Sequence, residues 1–198
     1  MPASYASIVE PSCQRRRDDT PDRIKYRGLC RSLTAQVYCS PMAGEPDKHR
    51  NIAAGIRDSR LCRLYYYWRA RKGGRRFPAR GDIDPLDFGY VLGNVILFDV
   101  LRNPLRFRVR VHGTEMVRRA GYDLTGKYLD DLPITDYRRY VRQRCEGLVR
   151  TGDPLIVHHS RALDGRTRQY EALWLPLSDD GQNVTMLLAA LIYDLERV

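Results

Sequence analysis

Residues able to do chemistry are sparse in this 198-residue chain, and their spacing argues against most reactions. Aspartates pair at Asp130-Asp131 and Asp179-Asp180, but both pairs sit among turn-forming residues. Solvated side chains are expected there rather than a general acid and its base. His158 and His159 are neighbours, and on a strand they point to opposite faces, so they cannot share one ion. The five cysteines, Cys13, Cys30, Cys39, Cys62 and Cys145, contain no C-x2-C pair, which argues against a zinc site or a disulfide framework. Gly73-Gly74 is followed by arginines rather than by a phosphate loop. Gly-x-Ser-x-Gly, His-Glu-x-x-His and Gly-x-Gly-x-x-Gly segments are also missing. A chain without a catalytic constellation, and without a metal, is expected.

Charge is the other chemical resource. The formal net charge is +10, carried by 34 Lys and Arg against 24 Asp and Glu, and residues 57–80 hold nine basic residues against the single acid Asp58. Thirty of the basic residues are arginine, which fits a GC-rich coding bias as well as a phosphate-binding surface. No apolar run approaches the roughly 20 residues needed to cross a bilayer. The first residues carry Arg15, Arg16 and Arg17 without an apolar stretch, so they do not read as a signal peptide. A soluble, cytoplasmic protein without membrane insertion is the expectation.

The elements that would position these groups emerge from periodicity. Residues 1–50 have no sustained period and are expected to be poorly ordered, with Met42 an alternative start. From 51 to 72 the pattern is helical: Leu61, Leu64, Tyr65 and Trp68 fall at i, i+3, i+4 and i+7, and Gly73-Gly74 ends the run. That stripe should cover a sheet, in this chain or in a second copy of it. Asp82 and Asp84-Pro85 read as helix starts. Strands are predicted at 94–101 and 105–112, joined by Arg102-Asn103-Pro104. Strict alternation in the second puts Phe107, Val109 and Val111 on one face and Arg106, Arg108, Arg110 and His112 on the other. A short helix over 115–120 ends at Gly121, and a longer one starts with Thr135 as its N-cap and runs to 150. Three strands follow at 154–163, 168–177 and 183–195, with Asp-Gly turns between them.

Six short motifs occur in order along this framework: Tyr67-Trp68, Pro78 to Arg80, Asp84-Pro85, Arg110 to Thr114, Asp123 to Gly126 and Pro176 to Ser178. Together with the order strand, strand, helices, three strands, they resemble a small PAS-like family of alphaproteobacteria. The match spans about 140 residues and leaves 1–50 outside. His112 departs from it, since the position before the Gly-Thr pair is commonly apolar in that family. The resemblance implies an α+β fold: a five-stranded antiparallel PAS-like sheet with helices inserted between strands 2 and 3, preceded by an amphipathic helix within a domain spanning 51–198.

It also implies a sensory or protein-interaction module acting on a signalling partner such as a sensor kinase, with a homodimer formed through the N-terminal helix and the outer sheet face. Leu61, Leu64, Tyr65, Trp68, Arg75 and Arg76 are the candidates for that surface. PAS domains hold ligands between the sheet and the long helix. Here Tyr128, Tyr137, Tyr140, Val141, Cys145, Leu173, Leu175 and the apolar residues of the final strand are expected to fill the core or, where room is left, to line a pocket for an apolar small molecule. Flavin is disfavoured because Cys145 lacks the photosensor motif around its thiol, and haem because 135–150 contains no histidine. Arg110 and Glu171 are candidates for a structural ion pair tying two strands. The alternative function is nucleic-acid binding by residues 57–80 and the arginine ladder, with the tyrosines around Trp68 stacking on bases. The signalling reading is favoured, because no helix-turn-helix is visible and the aromatics are better explained as packing.

Overall fold

Two strong helix signals inside residues 47–72 divide what periodicity alone reads as one helix. Gly55 ends the first, and Asp58 caps the second by accepting the Arg60 and Leu61 backbone N–H groups. The computed structural model describes residues 47–163 and 166–193. Its helices are α1 (Asp47–Gly55), α2 (Ser59–Lys72), α3 (Thr114–Ala120) and α4 (Thr135–Thr151), and its strands are β1 (Val95–Leu101), β2 (Arg106–His112), β3 (Leu155–Leu163), β4 (Arg166–Leu177) and β5 (Met186–Tyr193). The start of α1 lies four residues before the expected boundary. The extension before residue 47, with Met42, and the turn residues Asp164 and Gly165 lie outside the described residues.

The five strands form one antiparallel sheet in the order β2-β1-β5-β4-β3. Helices α3 and α4 and the turn at Leu129–Asp131 follow β2, as the PAS-like order requires. Both sheet faces are covered. One packs Phe98, Val109, Trp174, Leu187 and Leu191 against Leu129, Leu132, Val141, Cys145 and Leu148. The other packs Leu97, Leu173, Leu175, Leu188 and Ile192 against Ala53, Leu61, Leu64, Tyr65 and Trp68. In consequence β5 is buried along its whole length, MLLAALIY.

Helix α4 begins one residue from its expected cap: Ile134 occupies the N-cap, and Thr135 is the first helical residue. Asp84 does cap the turn Pro85–Phe88, through Leu86 N–H. Asp82 instead closes the turn before it, accepting Ala79 N–H and the Arg75 guanidinium.

A β-bulge corrects the expected alternation of β2. Leu97 pairs with Val111 and Phe98 with Val109, so Arg110 is an extra residue and the parity of the strand changes there. Val111 therefore turns outward, 38% exposed, and His112 turns into the core. Gly113, next in the chain, is backbone-packed: its N–H donates to Val95 O, and a Cβ would lie 2.4 Å from Gly93 O.

Candidate functional site

Between the α3–α4 face and the sheet lies a cavity of about 40 Å³, room for about three water molecules. Ile96, Phe98, Trp174 and Leu191 form its floor, and Leu129, Leu132 and Val141 its roof. Trp174 stacks on Phe98 at 6.0 Å between ring centroids. At one end the wall turns polar: His112, Arg119, Tyr122, Tyr137, Arg161 and Tyr193 converge there. Each arrives from a different element. The bulge in β2 turns His112 inward, α4 contributes Tyr137 from its first turn, and β3 and β5 present Arg161 and Tyr193 on the same face of the sheet.

The hydrogen bonds fix the protonation of this end. Leu124 N–H donates to His112 Nδ1 at 3.2 Å, so the ring's own proton belongs on Nε2. Burial lowers the His112 pKa, with only partial compensation from Asp123 at 3.6 Å, and keeps the imidazole neutral. Burial pushes the Tyr137 and Tyr193 phenols up, so both remain hydroxyls. Arg161 Nη2 donates to Tyr122 Oη at 3.1 Å, and its guanidinium carbon lies 3.9 Å from the Tyr137 ring centroid.

Of the pocket residues expected from sequence, Tyr137 and Val141 line the cavity. Cys145 is buried in the same core but off the cavity wall, and burial pushes its thiol up. Tyr140 stacks on His159 at 4.5 Å, outside the cavity, and Tyr128 lies under the Arg106 guanidinium at 3.6 Å. Leu173 and Leu175 belong to the opposite face, because β4 alternates and Trp174 is the residue that faces the cavity. The final strand also contributes as expected, through Leu191 and Tyr193, whereas His112 and Arg161 are not among the residues the sequence nominates. His112 is concealed by the bulge, whereas Arg161, two residues from His159, shares its face and was legible by parity.

The proposed interaction surface is corrected in the same way. Leu61, Leu64, Tyr65 and Trp68 are at most 1% exposed, sealed against this chain's own sheet. Trp68 Nε1–H donates to Pro176 O at 2.9 Å. Pro176 lies beyond the last β3 partner, at Trp174, so no β3 residue is left wanting its missing N–H. Tyr67 Oη accepts Asp84 N–H, and Ser178 N–H donates to Pro78 O. Four of the six sequence motifs thus hold one another, and their work is to fasten α2 and its following turn to the sheet.

Arg75 donates to Asp82 and to Arg71 O, and Arg76 to Thr151 O at the end of α4. The expected Arg110–Glu171 pair does not form. Asp99, its side chain 8% exposed, takes both Arg110 and Arg108. Glu171, fully buried, accepts the Arg57 and Asp58 backbone N–H groups at 2.7 and 3.0 Å, and His158 lies 3.5 Å away. A buried carboxylate is stable there because the start of α2 presents N–H groups and the positive end of its dipole. The basic face is likewise engaged internally, Arg71 with Asp87, Arg75 with Asp82 and Arg106 with Asp130. Among the described residues no group of three or more His, Cys, Asp or Glu is placed to hold a metal, and no helix is long and apolar enough to cross a membrane.

Among solved structures, the PAS domain of Bordetella pertussis BvgS is similar at 19% identity and a TM-score of 0.42, over 58% of this chain and 90% of that one. A Rhodobacter sphaeroides LOV protein is similar at 16% identity and a TM-score of 0.40, over 58% and 70%. No curated protein matches the chain. Residues 56–192, from the joint before α2 to the end of β5, match the PAS domain family, and the chain belongs to it.

Proposed function

We propose that this protein is a sensory signalling module that takes a small molecule into the cavity beneath α3 and α4 and passes its occupancy to a protein partner. The observation that carries this is the asymmetry of the two faces. The outer face also keeps a cavity of about 40 Å³, but its wall is almost wholly apolar, with Ile83, Phe88, Leu97, Val111 and Leu188 in it, whereas the inner cavity has several polar groups converging at one end. Such a site, mostly apolar with a few convergent polar groups, is what a small-molecule receptor needs. The protein acts by changing contacts rather than bonds, since among the described residues no nucleophile, base and orienting group come together around the cavity.

Dimerisation through the α2 stripe would require α2 to leave the sheet, so contact with a partner is better assigned to other surfaces. The internal pairing of the arginines also weakens the nucleic-acid alternative.

Native mass spectrometry of the full chain tests the proposal. The expected result is a retained or added small molecule that is lost when Val141→Trp fills the cavity while the fold persists. Salt-dependent retardation of labelled DNA or RNA, with no small molecule bound by the unaltered protein, would overturn it.

A further inference from the structure

The polar end of the cavity holds two guanidinium cations, Arg119 and Arg161, beside neutral hydroxyls and an imidazole, and this selects the charge of what can enter. Among the described residues no carboxylate lines it. Arg161 has its hydrogen bond to Tyr122 Oη and its stacking on Tyr137, but its Nε is fully buried and without a hydrogen-bond partner among the described residues. A guanidinium has five N–H donors in a planar fork and does not lose its proton, so a buried N–H without an acceptor costs free energy that an oxygen ligand would recover. Beside it stand the Tyr137 and Tyr193 hydroxyls and the His112 imidazole, whose proton sits on Nε2. The rest of the wall, Phe98, Leu132, Val141 and Trp174 among it, is apolar.

We propose that the ligand is a short-chain monocarboxylate anion, its carboxylate received by Arg161 and the neighbouring hydroxyls and its alkyl end lying on Trp174. This rests on the sensory reading above and names the chemical class that the site would sense. Charge selects an anion, the fork geometry favours a planar two-oxygen acceptor over a point charge, and the apolar floor favours an organic acid over inorganic phosphate. The cavity volume restricts the tail to a few carbons.

The test titrates the full chain with acetate, propionate and butyrate, reading thermal unfolding in the unaltered chain and, separately, Trp174 fluorescence in the Trp68→Phe variant. Propionamide and inorganic phosphate serve as controls. Propionate or butyrate should bind, and propionamide should bind about thirtyfold more weakly or not at all, as expected when a buried charge pair loses one partner. Arg161→Met should lose binding by a similar factor, and Arg161→Lys, which keeps the charge but not the fork, should recover part of it. Equal binding of propionamide and propionate, preference for phosphate, or no binding of any carboxylate overturns the inference. The amide comparison needs no variant, so it stands even if Arg161→Met does not fold. A neutral molecule retained in native mass spectrometry alongside carboxylate failure would sink this inference and leave the sensory reading intact.

Discussion

Gly113 shows how little room individual positions have. Its φ of −58° is open to any residue, yet a Cβ would meet Gly93 O at 2.4 Å and Val95 O at 2.7 Å, and neither atom belongs to a movable side chain. Gly113→Ala is expected to cost about 3 kcal/mol by overpacking, measurable by urea unfolding. His112 makes a pH prediction. Its folded pKa is lowered by burial, whereas the unfolded chain titrates it near about 6.5. The unfolded state therefore takes up a proton that the folded state refuses, so His112 lowers stability as the pH falls through and below that value. His112→Gln should flatten the difference between unfolding at pH 7.5 and 5.5, and an unchanged slope would refute the assignment. Cys145, with its thiol buried and pushed up, should react with a thiol reagent only at the rate of global unfolding.

At the scale of elements, α2 is held by side chains rather than by its own helical strength. Trp68→Ala should cost about 3–5 kcal/mol, and Trp68→Phe less, since the latter keeps most of the packing and loses mainly the bond to Pro176 O. Glu171→Gln turns an amide N–H toward one of two backbone donors and should cost about 1–3 kcal/mol, read by chemical denaturation. The α2 stripe, the five strands and their order were all legible in sequence, because half-buried helices and hairpin turns leave periodic and Asp-Gly signals.

What stayed hidden has a common cause. β4 is buried on both faces from Glu171 to Leu177, so no polar alternation marks which residues face the cavity, and nothing in the sequence separates Leu173 and Leu175, on the outer face, from Trp174. β2 alternates in sequence, but its bulge inverts the last two positions, and a bulge leaves no periodic trace. The partners of Arg110 and Glu171 depend on sheet register and on where α2 begins, which are long-range properties.

For the whole molecule, sealing the outer sheet face with the chain's own helices converts a surface available for pairing into core. Leu64→Asp should loosen α2 and expose Leu173, Leu175 and Leu188, so self-association should rise in sedimentation while the strand signal in circular dichroism persists. A variant with unchanged sedimentation and unchanged stability would show that α2 contributes little. The net charge belongs to this scale as well. The net +10 already counts every acid, but Arg71 and Arg75 pair with Asp87 and Asp82 just outside residues 57–80, so the excess of nine basic residues over one acid in that segment overstates what a phosphate backbone would meet there.

The bulge has a consequence for how β2 tolerates changes in length. Arg110 is the residue without a partner across the strand pair, so removing it would let Val109 and Val111 run on as a regular ladder, with every other side chain keeping its face. Arg110 is in this sense a spare letter in the strand's reading frame. Removal of any other residue between 107 and 111 would have to be absorbed by that spare position or would turn one end of the strand over, placing arginine in the core and phenylalanine in water.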